Sequence, residues 1–363
     1  MRTFFIMLAF VSVVFGAKLY VGADGSDVND GSTFALRKAT LQAAFDAVLS
    51  GDSLMWCGDF TISEPCTVDM NAGENISPTQ STVLFVIGCD ASGNILTTGE
   101  AAVTTTTNSL SRLFYLGAQA DWFCWQRIKW DGGGSGKATY CIEGPASDGI
   151  DYHAFKNCRI TNAHSDGTYI RTATNWWFAN CEIDNNGKGG TGSGLGSIHT
   201  ARNAYCMIGC KVHNNATHGI IVGNFDIVII ACSFYRNGGS GIYSTSSSIT
   251  MSLLAKNNVF ALNGGSGIDM AATPSKGLVW YNNITYANGA YGVKLTTEIT
   301  NITTFDYNTS YANTSGDIDI NSGAFFGINN VNEEPVFVDT TTGSEDFRLQ
   351  SGSPCKNTGI GPE

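Results

Sequence analysis

Two stretches of this chain can be laid over each other residue by residue: residues 232–243, CSFYRNGGSGIY, and residues 258–269, NVFALNGGSGID. Each begins with a short run of alternating character, passes through an asparagine and two glycines, and ends in a second strand-like run. Alternation is typical of β-strands, and Asn and Gly are typical of the turns between strands. The pair therefore predicts a strand, a sharp turn and a second strand, used more than once.

The same unit occurs seven times, with starts 22 to 29 residues apart. A repeat of this length with almost no helix-forming stretches predicts a β-solenoid, in which each repeat forms one coil. The starts are Cys158, Cys181, Cys210, Cys232, Asn258, Asn283 and Asn308. Five positions after them come Ala163, Asn186, Asn215, Asn237, Asn263, Asn288 and Asn313.

The asparagine column has a physical reason in such a fold. Equivalent residues of successive coils lie about 4.7–4.9 Å apart, so stacked amides can hydrogen-bond from coil to coil. Asparagine also tolerates the left-handed backbone that a sharp bend requires. The four cysteine starts alternate with polar neighbours and are expected to face a narrow apolar interior. We therefore predict an asparagine ladder and a buried cysteine column.

The ends of the chain divide it into four segments. Residues 1–16 have the composition of a signal peptide, which predicts a secreted protein or one on a virion surface. Residues 17–52 contain a strand and a helix beginning near Thr40, expected to cap the open end of the solenoid. Residues 53–326 are predicted to form the β-helix, and residues 327–363 to close it by folding over the final coil.

Composition narrows the range of partners. The net charge of −11 argues against nucleic acid, because phosphates would be repelled. Beyond the leader there is no apolar stretch long enough to predict a membrane span. The chain has 11 cysteines, an odd number, so at least one is left unpaired. The spacing suggests a local Cys57–Cys66 disulfide, and pairing between neighbouring coils of the cysteine column stays open.

Several motifs together resemble the right-handed parallel β-helix proteins of the pectate-lyase-like superfamily. They are the opening YVGADGSD with NDGS at residues 20–32, the LQAA helix at 41–44, the Asn/Cys coils, and the closing PVFVD and DFRLQSGSP at residues 335–354. The resemblance covers nearly the whole mature chain and implies an all-β fold. It leaves the reaction open, since that superfamily holds lyases, glycosidases, phage tailspikes and non-catalytic surface proteins.

The coil alignment places charge on one outward face. Positions one and three residues after each start are polar on four adjacent coils and mostly uncharged further along. We call this the charged patch, and its members are Arg159, Glu182, Asp184, Lys211 and His213, with Tyr235 and Arg236 beside them. Neighbouring side chains are expected to lie about 5 Å apart from coil to coil.

The functional interpretation is a groove for an acidic polysaccharide or cell-surface glycan. Lys211 or Arg159 would act as the base in a polyuronate lyase, with His213 as a further catalytic candidate. Glu182 and Asp184 would hold a divalent cation such as calcium, which neutralises the sugar carboxylate and acidifies the neighbouring C–H.

The remaining candidates surround this patch. Tyr235 and Arg236 are candidates for substrate binding, and so are His199 and Arg202 in the glycine-rich longest coil. Asp166 and His218 resemble parts of the polygalacturonase motifs, but they lie two coils apart and have no adjacent aspartate pair.

Two other interpretations stay open. The patch can be a solvated ladder of alternating charges, with Arg159 over Glu182 over Lys211, that serves only the structure. The chain can also be a non-catalytic glycan-binding β-helix or a phage tailspike, in which case a homotrimer is expected. A lyase requires a base and a cation site that converge, whereas a binding protein requires only a complementary surface.

Overall fold

The computed structural model describes residues 16–68, 79, 82–117, 120–144, 150–170, 173–197, 204–223, 226–244, 252–270, 277–295, 302–320 and 329–356. Within them the chain winds into three long parallel sheets, and each complete coil gives one strand to each sheet. The predicted all-β solenoid with one N-terminal helix is confirmed. None of the described helices has the length and apolar character needed to cross a membrane.

The strands are numbered in chain order. Sheet A contains β1 Lys18–Gly22, β2 Ser53–Cys57, β5 Leu84–Cys89, β8 Phe123–Gln126, β11 Ile150–Lys156, β14 Ala173–Ala179, β17 Ala204–Ile208, β20 Asp226–Ile230, β23 Ser252–Lys256, β26 Gly277–Tyr281 and β29 Ile302–Asp306. Sheet B contains β3 Phe60–Thr61, β6 Ala101–Thr104, β9 Ile128–Asp131, β12 Arg159–Thr161, β15 Glu182–Asp184, β18 Lys211–His213, β21 Ser233–Tyr235, β24 Val259–Ala261, β27 Ile284–Tyr286 and β30 Thr309–Tyr311. Sheet C contains β4 Cys66–Val68, β7 Arg112–Leu116, β10 Tyr140–Glu143, β13 Thr168–Ile170, β16 Leu195–Ser197, β19 Ile220–Ile221, β22 Ile242–Ser244, β25 Ile268–Met270, β28 Tyr291–Leu295 and β31 Gly316–Ile320.

The asparagine ladder is present, and it satisfies every member's amide. In Asn237 the side-chain amide donates to Asn263 Oδ1 at 3.0 Å and to the Val212 carbonyl of the preceding coil at 3.1 Å. Its own Oδ1 accepts from the backbone and side-chain N–H groups of Asn215. Because donors and acceptors are all paired, an amide that is 1 % exposed carries no unmet hydrogen bond.

The sharp bends, however, are not made by the ladder asparagines. The left-handed residue is the one before each ladder position, for example Asn185 at φ 55°, Arg236 at φ 51° and Leu262 at φ 59°. The expectation that the ladder residue itself adopts this conformation was therefore wrong. The ladder residue instead turns its side chain inward, where the stacked amides fix the bend from inside.

The four cysteine starts are buried in the core, as the alternation predicts. From Cys232 onward the column changes chemistry, because its backbone N–H donates to Asn258 Oδ1 at 2.9 Å. A second asparagine ladder then runs through Asn258, Asn283 and Asn308 to Asn330. The sequence alignment contained these asparagines as starts, but their stacking becomes evident only in the structure.

The N-terminal cap is a helix, α1 Leu41–Ala47, preceded by a 3-10 turn at Phe34–Leu36. Thr40 caps it by accepting from the Ala43 N–H at 3.2 Å. Phe45 enters the end of the solenoid, with its ring 5.9 Å from that of Phe114 and 6.0 Å from that of Trp125. The strand before the helix, β1, is already the first strand of sheet A.

The C-terminal segment does more than cover the final coil. Asn330 and Val331 extend the ladder and bridge to Thr309. The chain then forms an antiparallel hairpin, β32 Phe337–Asp339 and β33 Asp346–Leu349, on the outer face of sheet B. Its aromatic rings pack edge-on, Phe337 against Tyr286 at 5.5 Å and Phe347 against Tyr235 at 5.1 Å. The hairpin therefore borders the charged patch.

The cysteine pairing expected from sequence spacing does not occur. All 11 cysteines are free thiols. Cys66 points into the core, whereas Cys57 belongs to a separate cluster on the outer face of sheet A. The two thiols are therefore on opposite sides of the coil wall, and the expected Cys57–Cys66 disulfide was wrong.

Candidate functional site

The charged patch lies on sheet B, where the parallel register puts equivalent residues side by side. Arg159 is opposite Glu182, and Glu182 is opposite Lys211. Two positions further along the same strands, Asp184 is opposite His213 and His213 is opposite Tyr235. The register therefore brings together the five members of the charged patch, which are up to 54 positions apart in sequence.

Arg159 binds Asp184 with both ends of its guanidinium. Its Nε donates to Oδ1 at 2.8 Å and its Nη2 to Oδ2 at 2.7 Å, while Glu182 Oε1 lies 3.8 Å from Nη2. Asp184 is fully buried and Arg159 is one third exposed. The hydrogen bond to Asp184 raises the pKa of Arg159 above its usual value despite the cost of burial. An arginine held in this way remains protonated, which argues against its use as a base.

Glu182 and His213 form the second pair of the patch. His213 Nε2 lies 3.0 Å from Glu182 Oε1, and its Nδ1 lies 3.0 Å from the Asn214 side-chain amide. Because the Asn214 amide donates, Nδ1 accepts, and the proton of a neutral imidazole lies on Nε2 toward Glu182. The hydrogen bond from His213 holds the pKa of Glu182 below its usual range, opposed by burial and helped by Arg159.

Lys211 differs from its neighbours because it is exposed. Its ammonium forms no ion pair or hydrogen bond with any residue that the structure describes. Arg348 lowers the pKa of Asp346 in the hairpin to about 2, and the charge of Lys211 adds a smaller effect in the same direction. Lys211 is thus an exposed side chain, unpaired among the described residues, at the edge of a paired cluster.

Tyr235 and Arg236 are occupied by the hairpin. Tyr235 is 6 % exposed, with His213 stacked on it at 4.5 Å and Phe347 against its edge. The Arg236 guanidinium is paired with Glu345 and donates to the Thr340 carbonyl at 2.8 Å. Both residues adjoin the patch, and both contact the hairpin that packs against sheet B.

The glycine-rich coil is described only in part. His199 and Arg202, predicted to bind substrate, lie outside the described residues. The preceding segment is anchored, since the Gly187 N–H donates to the Ser165 carbonyl at 2.7 Å and the Gly189 N–H to the His164 carbonyl at 2.8 Å. This part of the coil is therefore hydrogen-bonded to the coil before it.

Glu182, Asp184 and His213 could hold a metal ion, because one donor atom of each lies within 4.8 Å of the others. The buried Thr161 hydroxyl, one coil earlier than Asp184, has no hydrogen-bond partner among the described residues, and its residue pairs with Asp184 in register. Oxygen donors of this kind suit calcium, whereas the imidazole suits a transition metal. Arg159 competes for Asp184, so a cation has to displace part of that ion pair.

Two features of the patch escaped the sequence alignment. One coil upstream, Lys129 and Asp131 continue the two outward columns and form an ion pair of 2.8 Å. The segment IKWD at residues 128–131 has the same alternation as the later strands, and extending the alignment would have found it. Glu100 also contributes. Burial raises the pKa of its carboxyl while Arg159 lowers it, which places Glu100 near the patch. No sequence signal connects it.

Asp166 and His218 serve the backbone. Asp166 Oδ1 accepts from the Ser193 N–H at 2.6 Å, and His218 Nδ1 accepts from the Ser240 N–H at 2.9 Å. His218 also stacks on Tyr243 at 4.0 Å, and burial lowers its pKa to about 4. Each residue joins its coil to the following one, so the pair has no shared geometry for glycoside hydrolysis.

Comparison with known proteins agrees with the architecture. A family model for the right handed beta helix region matches residues 146–303 and, in an overlapping second match, residues 193–346. No curated protein matches the sequence. Among solved structures, pectate lyase Pel9A has a TM-score of 0.72 and 18 % identity over 96 % of this chain and 93 % of that one.

Two further structures share the fold. A rhamnogalacturonan lyase has a TM-score of 0.65 and 17 % identity over 89 % of this chain and 91 % of that one. ORF18 of Geobacillus virus E2 has a TM-score of 0.52 and 14 % identity over 87 % of this chain and 60 % of that one. At these identities the likeness shows the fold alone. The two family matches together span more than half of the chain, which therefore belongs to the right-handed parallel β-helix family.

Proposed function

We propose that this protein acts on an acidic polysaccharide at the charged patch of sheet B, as a polyuronate lyase that works by β-elimination. The observation that carries the proposal is Lys211, an exposed side chain with no partner among the described residues, beside a cluster of two carboxylates, an imidazole and a guanidinium. Two of the structures that share its fold are named as lyases, which supports the reaction class without deciding it.

Lys211 is the residue for proton removal. In its unprotonated form the amine accepts the proton on the carbon next to the sugar carboxylate, and the electron pair left behind forms the double bond as the glycosidic oxygen departs. Arg159 is the poorer base because Asp184 keeps it charged. Its remaining role is to attract the anionic sugar. His213 donates to Glu182 and so orients that carboxylate for the substrate or a cation.

Glu182 and Asp184 would supply the oxygen ligands of a calcium ion, with His213 nearby. Calcium bound there would neutralise the sugar carboxylate and make the neighbouring C–H more acidic. As the patch stands, one arginine and one lysine offset its two carboxylates. Opening the Arg159–Asp184 pair would free an anionic ligand for the cation and, at the same time, a cationic side chain for the uronate.

The second candidate function is adhesion to a glycan without cleavage. It is favoured by one observation: Arg159 with Asp184, and His213 with Glu182, already satisfy each other. Such a surface needs no cation to be stable. A protein of this kind would be exported or displayed on a virion, and a tailspike-like assembly would be a homotrimer.

The test is to incubate the purified protein with pectate, alginate and glycosaminoglycans, with calcium or with chelator, and to follow the ultraviolet absorbance of the unsaturated product. We expect a signal that falls at least about a hundredfold in Lys211→Ala. The matched control is Lys156→Ala, an exposed lysine on sheet A. Retention of activity in Lys211→Ala would rule out the proposed base. Binding without product would instead support adhesion.

A further inference from the structure

A pair of cysteines on the outer face of sheet A has no role in the proposed function. Cys57 ends strand β2 and Cys89 ends strand β5, and the parallel register sets them directly opposite each other. Both are buried, at 4 % and 1 % exposure. Neighbouring strands are about 4.7–4.9 Å apart, which is within the Cα separation that a disulfide requires. The two thiols are also within hydrogen-bonding reach of each other.

We propose that Cys57 and Cys89 are a redox-active pair that closes to a disulfide and thereby links the first two coils. The pair lies outside the solenoid core, in a separate small cluster with Met55 and Ile87, beneath Tyr20, Phe34 and Phe85. The carbonyl that each sulfur approaches lies two residues earlier in its own strand, that of Met55 at 3.4 Å for Cys57 and that of Ile87 at 3.6 Å for Cys89. Apart from their contact with each other, neither thiol is bonded to a backbone carbonyl of another described coil.

The inner cysteine column is different in this respect. Cys181 Sγ donates to the Phe155 carbonyl at 3.3 Å and Cys210 Sγ to the Phe178 carbonyl at 3.4 Å, each in the preceding coil. Oxidising these thiols would remove hydrogen bonds that join coils, and the oxidant would have to enter the core. The outer pair loses only local bonds and is covered by a few side chains.

The residues around the pair indicate which thiol attacks and which one resolves the mixed disulfide. The Arg37 side chain lies over Gly22, which is opposite Cys57 in the register of β1 and β2. The hydrogen bond from Cys89 and the charge of Arg37, which is also paired with Asp24, hold the pKa of the Cys57 thiol below its usual value against burial and the charges of Asp90 and Asp24. The same hydrogen bond, with burial, raises the pKa of Cys89. Cys57 is therefore the attacking thiolate and Cys89 the resolving thiol.

The reaction balances with a small disulfide as the oxidant. Cys57 thiolate attacks one sulfur of oxidised glutathione, forming a mixed disulfide and releasing one glutathione thiolate. Cys89 then attacks the Cys57 sulfur, the second glutathione leaves, and the two cysteine protons end on the two released glutathiones. Two protein thiols are oxidised and one glutathione disulfide is reduced.

The experiment uses the folded full chain in a glutathione redox buffer. After an acid quench, free thiols are alkylated under denaturing conditions and the digest is analysed by mass spectrometry. We expect a linked peptide joining Cys57 to Cys89, about 2 Da lighter than the two thiol peptides together. The internal control is Cys124 on the same outer face, whose two register neighbours, Phe85 and Ala154, are not cysteines. It is expected to be alkylated.

Two variants test the roles. Cys89→Ser is expected to trap one glutathione on Cys57, whereas Cys57→Ser should leave Cys89 unmodified under the same conditions. The reverse pattern would overturn the assignment of attacker and resolver. Alkylation of Cys57 and Cys89 to the same extent as Cys124, or a linkage between other cysteines in the folded chain, would overturn the proposal. The glycan assay does not enter this test, so its outcome is independent of the proposed function.

Discussion

Arg159 and Asp184 lie on adjacent coils and are joined by two parallel hydrogen bonds, Nε to Oδ1 at 2.8 Å and Nη2 to Oδ2 at 2.7 Å. The carboxylate is fully buried while the guanidinium is partly in solvent. Removing the arginine is therefore expected to destabilise the fold, because it leaves the buried charge of Asp184 without its partner.

We therefore expect Arg159→Met to lower the free energy of unfolding by about 2–3 kcal/mol, somewhat below the range for a fully buried pair because Arg159 is one third exposed. The double variant Arg159→Met with Asp184→Leu should recover most of the loss, since no charge is then left unpaired. Denaturant unfolding followed by circular dichroism measures both. A double variant no more stable than the single one would contradict this explanation.

The pair of Arg159 and Asp184 also shows which contacts can be predicted from the sequence and which cannot. The periodic asparagines were enough to predict the fold, because a parallel stack fixes which residues are vertical neighbours. The register even predicted that Arg159 would be opposite Glu182. It did not predict that Arg159 would bind Asp184 instead, because a long side chain can reach diagonally across a strand. The choice depends on burial, which a list of positions does not contain.

The hairpin was beyond the sequence for a different reason. Phe347 and Tyr235 are separated by more than a hundred positions and share no repeat, so nothing in the chain indicates that they meet. As a result, Tyr235 and Arg236 were interpreted as exposed binding groups, whereas the hairpin covers both. The cysteines illustrate the same limit: proximity in sequence favoured Cys66 as the partner of Cys57, but the parallel register places Cys89 opposite Cys57.

A substitution in the middle of the asparagine ladder is expected to destabilise the fold. In Asn237→Ala the amide loses its bonds to Asn263 and Val212, and Asn215 loses its acceptor inside the core. We expect a loss of about 3 kcal/mol in the free energy of unfolding, because buried groups are left unsatisfied.

The control for the ladder is Asn332→Ala. Asn332 also donates to a side chain, Asp317 at 2.9 Å, but it does so in solvent. Its loss should change stability by less than about 0.5 kcal/mol. If the two variants unfold at the same denaturant concentration, the ladder does not contribute to stability as expected.

Acidification is expected to destabilise the fold through buried histidine. Burial lowers the pKa of His153 from 6.5 to about 4. As pH falls below 6.5, protons bind the unfolded chain first, so stability present above that pH is lost as it approaches 4, by about 3 kcal/mol. His153→Gln can still accept from Trp125 but does not titrate, so its unfolding free energy should change less between pH 7 and pH 4. An equal slope in both proteins would contradict the assignment.

The hairpin is expected to loosen when Glu345 is neutralised. Burial opposes ionisation of Glu345, but backbone N–H groups and Arg236 outweigh it and lower the pKa of that carboxyl. The folded state therefore gains stability above the ordinary glutamate range and loses it as pH falls through the lowered value. Glu345→Gln should increase hydrogen exchange in residues 337–349 at neutral pH. Asp346→Asn breaks the pair with Arg348 inside the hairpin and removes only the weaker attraction of Lys211 on sheet B, so its effect should be much smaller.

Substitutions in the charged patch are expected to affect calcium binding and zinc binding differently. Glu182→Gln removes a carboxylate, so we expect it to weaken both calcium and zinc in calorimetric titrations, by about tenfold or more. His213→Ala removes only a nitrogen donor, so it should weaken zinc by a similar factor and leave calcium unchanged, because calcium prefers oxygen ligands. Arg159→Met should strengthen both, since it releases Asp184 from its ion pair. Absence of binding in the Arg159→Met protein would show that the three donors do not form a metal site even when the competing cation is removed.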